Sequence, residues 1–270
     1  MSDSLRKRVI TAAALIALLL VVLFALPGSA TLALITLMVL LGAWEWSAFL
    51  KSGRRWVRTA YVLAIGACLA LAWRLTATRE GLQLLLGAAA LWWVVALGWI
   101  VLAPQRVCAA SAALAGLCAL VPAWLALARL RLAGLRGAEW VLFCLLLVWM
   151  ADIGAYFAGR RFGRRRLAPA VSPGKTWEGV LGGTAACIPV AAAGSFWFSV
   201  PPGWFLVLCL GAVAASIVGD LTESLLKRYA GVKDSGTLFP GHGGVMDRID
   251  SLTGAAPVLL LGLTFLGVLP

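Results

Sequence analysis

The charged side chains of the C-terminal half fall at spacings that suit phosphate chemistry. Asp152 stands four residues before Tyr156, so in a helix the two share a face. Asp220, Glu223 and Lys227, at offsets of three and seven, form one helical stripe that runs into a dense polar segment, Ser224 to Asp250. That segment carries Lys227, Arg228, Lys233 and Arg248, the acids Asp234, Asp247 and Asp250, the only histidine, His242, and glycines 241, 243 and 244. Glycine lets a backbone turn tightly and aim amide hydrogens at an anion. Carboxylates supply hard oxygen ligands for magnesium, while lysine, arginine and backbone N–H groups neutralise phosphate oxygens. Asp220 and Asp247 are expected to be the principal ligands of one or two magnesium ions, with Asp250 and Asp152 in support. One histidine and no clustered cysteines leave no zinc set.

A second polar stretch reads Arg160, Arg161, Arg164, Arg165 and Arg166, then Ser172-Pro173-Gly174-Lys175-Thr176-Trp177-Glu178-Gly179. Gly174-Lys175-Thr176 invites a phosphate-loop reading, but that motif needs glycine at 169, where Pro169 stands, and a preceding strand, where an apolar helix is expected. What remains is a helix start, with Glu178 near its positive end and Lys175 free to meet phosphate. Lys175, Lys227, Arg228, Lys233 and Arg248 are interleaved with acids and glycines and are expected on phosphate groups. Arg164, Arg165 and Arg166 form a bare charge run and are expected to be lipid-facing anchors.

The elements that must position these groups are set by composition. The 270 residues are 62% hydrophobic, with 23 basic against 11 acidic side chains, and the mean hydropathy is +0.97. A soluble domain is roughly half apolar and a quarter charged. The chain is therefore an all-α polytopic membrane protein, with no separate soluble catalytic domain and no nucleic-acid role for its net charge. Nine spans are expected, near 9–27, 30–50, 57–74, 82–103, 107–128, 139–160, 177–199, 204–228 and 249–268. They divide into an N-terminal set of five, within 1–137, and a catalytic set of four with two polar loops, within 138–270. The apolar run after Arg6, Lys7 and Arg8 is long enough to span and is read as the first helix rather than a cleaved signal.

With the N-terminus cytoplasmic, 18 basic residues fall on the cytoplasmic side and 5 opposite, namely Arg74, Arg79, Arg129, Arg131 and Arg136. That bias puts the N-terminus and both polar loops inside and the C-terminus outside, and Arg129, Arg131 and Arg136 run against it locally. In the first five spans Glu45, between Trp44 and Trp46, reads as an interfacial carboxylate beside an aromatic belt. Gly66, Gly87, Gly98 and Gly116 are expected to permit close helix packing. The six cysteines lie in apolar runs and read as small buried hydrophobes.

Ser224 to Asp250 resembles the C-terminal signature of the phosphatidate cytidylyltransferases, or CDP-diacylglycerol synthases: Ser224, Lys227-Arg228, Lys233-Asp234, Pro240-Gly241-His242-Gly243-Gly244 and Asp247-Arg248-Ile249-Asp250. Ser172 to Gly179 is similar to the family's second conserved stretch, and Asp152 sits where the family places an acid near the end of the preceding helix. The resemblance implies transfer of the cytidylyl group of CTP (or dCTP) to phosphatidic acid, giving CDP-diacylglycerol and pyrophosphate, with magnesium. It also implies a homodimer in a bacterial inner membrane. It places Asp220, Asp247, Lys233 and Lys227 in catalysis, and Ser172, Lys175, Thr176, Glu178, Glu223, Ser224, Arg228, Asp234, His242, Gly243, Gly244 and Arg248 around the substrates. His242 is expected to shape its loop or contact pyrophosphate, not to act as nucleophile or metal ligand. A CTP-dependent lipid kinase and an anionic-solute transporter are the alternatives. The first would make CDP instead of pyrophosphate, and the second would carry its polar groups near the midplane in two internal repeats.

Overall fold

The computed structural model describes residues 16–236, 238 and 243–269, and they form helices joined by short turns. Helix α1 covers 16–24, followed by α2 (Gly28–Trp46), a 3-10 turn (Ser47–Leu50), α3 (Arg55–Leu75), α4 (Arg79–Leu102) and α5 (Ala109–Arg131). After a second 3-10 turn (Gly134–Arg136) come α6 (Gly137–Phe162), a hairpin of β1 (Arg166–Ala168) and β2 (Ser172–Thr176), α7 (Trp177–Phe198), α8 (Pro202–Ala230) and α9 (Met246–Phe265). Each expected span thus has its helix among the described residues. Seven of the nine are long and apolar enough to cross a membrane. Helix α1 is described only in part, and α9 carries Asp247, Arg248 and Asp250 in its first turns, which lower its hydropathy. At about 1.5 Å per residue, the 29 residues of α8 exceed a hydrocarbon core of about 30 Å, so one end of α8 must emerge from it.

Successive helices run in opposite directions, so the bundle has two ends. The near end holds the C-termini of α2, α6 and α8, the N-termini of α7 and α9, and the hairpin; the far end holds the C-termini of α1, α3, α7 and α9. Helix α9 runs through the middle, packed on α8, α5, α4 and α6, and most of its residues are buried. Helices α3 and α4 are peripheral and turn large apolar side chains such as Leu63, Leu84 and Val94 outward, as lipid-facing helices do.

Two helix pairs are drawn unusually close by small residues. On α6 and α7, a Cβ at Gly154 would strike the Gly182 carbonyl and one at Gly183 the Ala151 carbonyl. On α8 and α9, a Cβ at Gly219 would strike the Asp250 carbonyl and one at Gly254 the Ala215 carbonyl. Among the glycines expected to serve this purpose, Gly116 does, packed on Trp46 and Tyr61, whereas Gly87 and Gly98 face open space and Gly66 is in ordinary contact only. Cys144, Cys187 and Cys209 are buried as expected, and Cys68 and Cys118 are half-buried. Cys108 is not: it is exposed, and its Sγ accepts from Ser111 N at 3.4 Å to cap α5.

The far end is tied by aromatic rings and arginines. Trp140 stacks on Phe198 at 3.5 Å between ring centres, and Phe143 on Phe205 at 5.3 Å, joining α6, α7 and α8. Arg129 donates to the Thr76 carbonyl at 2.6 Å and Arg79 to the Thr264 carbonyl at 2.5 Å. Arg131 donates to the Leu23 and Leu26 carbonyls at 3.3 and 3.2 Å, and Arg136 to the Trp197 carbonyl at 3.0 Å. These carbonyls end α3, α9, α1 and α7, where the helix itself offers no further donors. The arginines that break the charge bias locally are therefore helix caps.

Candidate active site

The site is built where α6, α7, α8, α9 and the hairpin meet at the near end. Helix α7 begins at Trp177, as the sequence implies, because Thr176 caps it: Thr176 Oγ1 accepts from Gly179 N at 3.1 Å. Glu178 does not reach into the site. Its carboxylate accepts the backbone N–H groups of Arg164 at 3.1 Å and Arg165 at 3.2 Å, closing the turn between α6 and β1. The hairpin that follows, with Arg166 paired to Thr176, was not expected from the sequence. It brings Lys175 over α8, where the ammonium pairs with the Asp220 carboxylate. Arg228 Nε donates to the Val171 carbonyl at 3.3 Å and ties α8 to the same hairpin.

Beneath Lys175 lies a cavity of about 410 Å³, within the range of small-molecule sites. Its polar lining is Asp152, Tyr156, Arg160, Lys175, Thr176 and Asp220. Asp152 and Tyr156 share a face as their spacing implies, and the Tyr156 hydroxyl meets Arg160 Nη1 at 2.8 Å. Asp152 lies close enough to Asp220 and Lys175 for their charges to interact.

A second cluster adjoins the first through Asp220. Lys227 bridges two acids, with Nζ 2.7 Å from Glu223 Oε2 and 2.8 Å from Asp247 Oδ1. Asp247 Oδ2 accepts from Ser235 N and Ser235 Oγ, both at 3.0 Å, and from Gly244 N at 2.8 Å. These three donors occupy Oδ2, whereas Oδ1 meets Lys227 and keeps acceptor capacity for a further ligand. Gly243, at φ 79°, takes the left-handed turn that brings the chain onto Asp247; a Cβ there would be strained and would also meet Asp247 Oδ2. Gly231, at φ 75°, ends α8 in the same way, with its N–H on the Arg228 carbonyl at 3.1 Å.

Glu223 is fully buried and its Oε1 has no donor. It lies within hydrogen-bonding reach of the Asp250 carboxyl, which also feels the charge of Asp220. Two carboxyl groups so placed need a cation or a shared proton between them. Among the described residues no three acidic side chains are gathered tightly enough to hold a metal on their own. Magnesium keeps most of its waters and is bound through one or two carboxylates plus substrate phosphates, so its binding needs no all-protein cage. Glu223 Oε1, left without a donor while Oε2 holds Lys227, and the neighbouring Asp152 and Asp220 carboxylates are the oxygens available to such an ion.

The other residues singled out by sequence are less gathered. Ser224 Oγ lies 3.5 Å from Asp220 Oδ1, a long contact. Ser172 opens β2. Lys233, Asp234 and Arg248 are exposed. Pro240, Gly241 and His242 lie outside the described residues.

Sequence reasoning missed Glu45. It is not an interfacial carboxylate but a buried one, 8% exposed, at the C-terminal end of α2. Oε1 accepts from Val245 N at 3.0 Å, and Oε2 accepts from Met246 N at 2.9 Å and from Ser235 Oγ at 3.0 Å. Its partners are 190 to 201 residues away in the chain, so no local pattern could have announced them. The one available signal was an acid with no basic residue at helical spacing, inside a long apolar run.

Comparison with known proteins matches residues 6–266 to the cytidylyltransferase family. A phosphatidate cytidylyltransferase of Pseudomonas aeruginosa is 41% identical over 261 residues, covering 94% of this chain and 95% of that one. One from Haemophilus influenzae is 38% identical over 278 residues, covering 94% and 96%. One from Brucella suis is 46% identical over 138 residues, about half of each chain.

Proposed function

The chain belongs to the cytidylyltransferase family, and from that premise we propose that it transfers the cytidylyl group of CTP to phosphatidic acid, forming CDP-diacylglycerol and pyrophosphate. What carries the reading is the near-end cavity, where cations and acids from α6, α8 and the hairpin face one space at the end of an apolar bundle. A soluble nucleotide can reach such a place from the aqueous side and a lipid from the side of the bundle.

In the transfer, a phosphate oxygen of phosphatidic acid attacks the α-phosphorus of CTP. The new P–O bond forms as the bond to the α,β-bridging oxygen breaks, and pyrophosphate leaves in line. A phosphate monoester is already a nucleophile, so the chain's task is to orient it and offset its repulsion from the triphosphate. Lys175 and Arg160 offer charge-assisted donors within the cavity, and Arg160 Nη1 is held by donating to the Tyr156 hydroxyl. Lys227, Arg228, Lys233 and Arg248 extend the basic rim beside the 243–244 glycine turn, whose Gly244 N–H is held by Asp247. Magnesium, held by Asp220, Asp247, Asp250 and Asp152 together with substrate oxygens, would neutralise triphosphate charge and aid departure of the leaving group. Ser172, Thr176, Glu178, Ser224, Glu223 and Asp234 shape the surroundings, and His242 forms no covalent intermediate.

The enzyme works in a bacterial inner membrane, with its N-terminus and the site on the cytoplasmic side and its C-terminus periplasmic; a homodimer and use of dCTP beside CTP complete the proposal. The decisive test supplies purified protein in detergent with magnesium, CTP and phosphatidic acid. Pyrophosphate and CDP-diacylglycerol are expected in equal amounts. Phosphorylation of diacylglycerol with release of CDP would instead identify a lipid kinase, and pyrophosphate without lipid product would sink the transfer reading.

A further inference from the structure

Helix α2 belongs to the half of the chain in which the sequence places no chemistry, yet its one buried acid reaches the turn that holds the acid–lysine cluster. Both Glu45 oxygens are engaged, by the N–H groups of Val245 and Met246 that begin α9 and by Ser235 Oγ. Those first N–H groups of a helix have no partner within it, and a carboxylate is the strongest acceptor a side chain can bring to them. Space is closed around it as well: a Cβ at Gly236 or at Gly244 would collide with the Glu45 carboxylate. Gly42, one turn earlier on α2, lies against Met246.

The same contacts run on into the site. Ser235 Oγ stands 3.0 Å from Glu45 Oε2 and 3.0 Å from Asp247 Oδ2, and Asp247 in turn holds Lys227, which holds Glu223. One hydroxyl proton is thus offered to two carboxylates, and the position of Ser235 depends on both. Without the Glu45 charge, Val245 and Met246 would lose their acceptor, the start of α9 would loosen, and Asp247 with Lys227 would move with it.

We propose that Glu45 is a positioning residue for the transfer reaction, acting through Ser235 and Asp247 to hold Lys227 and the first turn of α9 in register with the site. The proposal rests on the cytidylyltransferase reading, so its test joins kinetics to a measurement that needs no activity. Full-length wild type, Glu45→Gln, Glu45→Asp and Ser235→Ala are compared in detergent by steady-state kinetics and by amide hydrogen exchange. In Glu45→Gln, KM for CTP should rise about tenfold or more, as expected when one charged hydrogen-bond acceptor is lost, while KM for phosphatidic acid stays within about twofold. A shift in one KM cannot come from a smaller folded fraction, which lowers the rate alone. Glu45→Asp, which keeps the charge, should recover part of the loss. The Gln and Ala changes combined should cost less than the product of their separate effects, because they cut one chain of contacts. Exchange should quicken at Gly244, Val245 and Met246 and stay unchanged at Gly179, on the other helix start.

An unchanged KM for CTP in Glu45→Gln, with rate falling only as folded protein is lost, would reduce Glu45 to a structural residue. Unchanged exchange at Val245 and Met246 would show that the tether does not hold the turn at all. Failure of the parent reading has a different signature: wild type would make no CDP-diacylglycerol while exchange at Val245 and Met246 still answered to Glu45→Gln, and the proposed role in transfer would fall with it.

Discussion

The two ends of the bundle use basic side chains for opposite purposes. At the far end, Arg79, Arg129, Arg131 and Arg136 each donate to a carbonyl at a helix C-terminus, so positive charge completes backbone that would otherwise lack donors. At the near end, Lys175 and Lys227 pair with carboxylates carried by other helices or other turns. The far-end arrangement serves the fold: its carbonyls are capped and its rings stacked, and the leftover Arg129 Nε and Arg131 Nε, buried without an acceptor, belong to guanidiniums already anchored on those carbonyls. The near-end arrangement is open. Glu223 keeps an oxygen without a donor, and the Lys175–Asp220 pair borders a cavity. Ion pairs at such a border can exchange partners with an incoming phosphate or cation, whereas the caps at the other end hold the fold. Charge at a helix end is thus a poor guide to function until its partner is known.

The largest effect should come from a near-end acid. Asp220→Asn removes the charge that faces Lys175 and adjoins Asp152 and Asp250, with almost no change in shape. A loss of about 100- to 1000-fold in kcat/KM is expected, the scale on which a single charge-stabilising group acts. The variant should extract and run monodisperse on size exclusion, since the tight α8–α9 contact lies at Gly219 and Gly254 rather than at the carboxylate. Near-wild-type turnover at ordinary magnesium would erase the distinction between an open end and a closed one.

The mirror experiment is at the far end. Arg129→Gln loses the bond to the Thr76 carbonyl and the contact over the Trp73 ring at 4.3 Å. Stability should fall by about 2 kcal/mol, the worth of a charged hydrogen bond left unmade, and the thermal midpoint in detergent should drop accordingly. KM for both substrates and kcat per folded molecule should stay as they are. A change in either KM would mean that the far end communicates with the site.

Much of this division could be read from the chain beforehand, and the failures have physical causes. Span positions follow from apolar run length alone, and the start of α7 follows from the apolar run after Thr176 with Glu178 near its positive end, although the capping role of Thr176 itself emerged only in the structure. Asp152 with Tyr156, and Glu223 with Lys227, were legible because helical spacing puts them on shared faces. The hairpin was not, since Arg166 to Thr176 has no alternation of apolar and polar residues to mark strands. The arginine caps were hidden because counting charges on each side of a membrane says nothing about which carbonyl a guanidinium meets. Glu45 was misread for a related reason: an acid between two tryptophans at a helix end looks the same whether it faces headgroups or another helix. Long-range partners are set by how helices pack, and that packing rests on small residues whose positions identify close pairs only once the neighbours are known.

The smallest effect should come from replacing Arg164, Arg165 and Arg166 together with glutamine. These residues lie at the near end, so a view in which any basic group there serves phosphate would expect a large loss. The structure divides their roles differently. What Glu178 holds are the backbone N–H groups of Arg164 and Arg165, which survive any side-chain change. Among the described residues none of the three side chains lines the cavity; Arg166 bonds the Pro173 carbonyl within its own hairpin, and the Arg165 charge acts on Glu178. Their charge is left to interact with anionic headgroups, worth about 1 kcal/mol for each basic residue near a membrane surface. In detergent with soluble short-chain substrate, KM and kcat should therefore change by less than about twofold. In vesicles, raising the anionic lipid fraction should help wild type more than the triple variant. A tenfold loss in detergent would place the arginine run inside the reacting site and redraw the boundary between its working cations and its anchors.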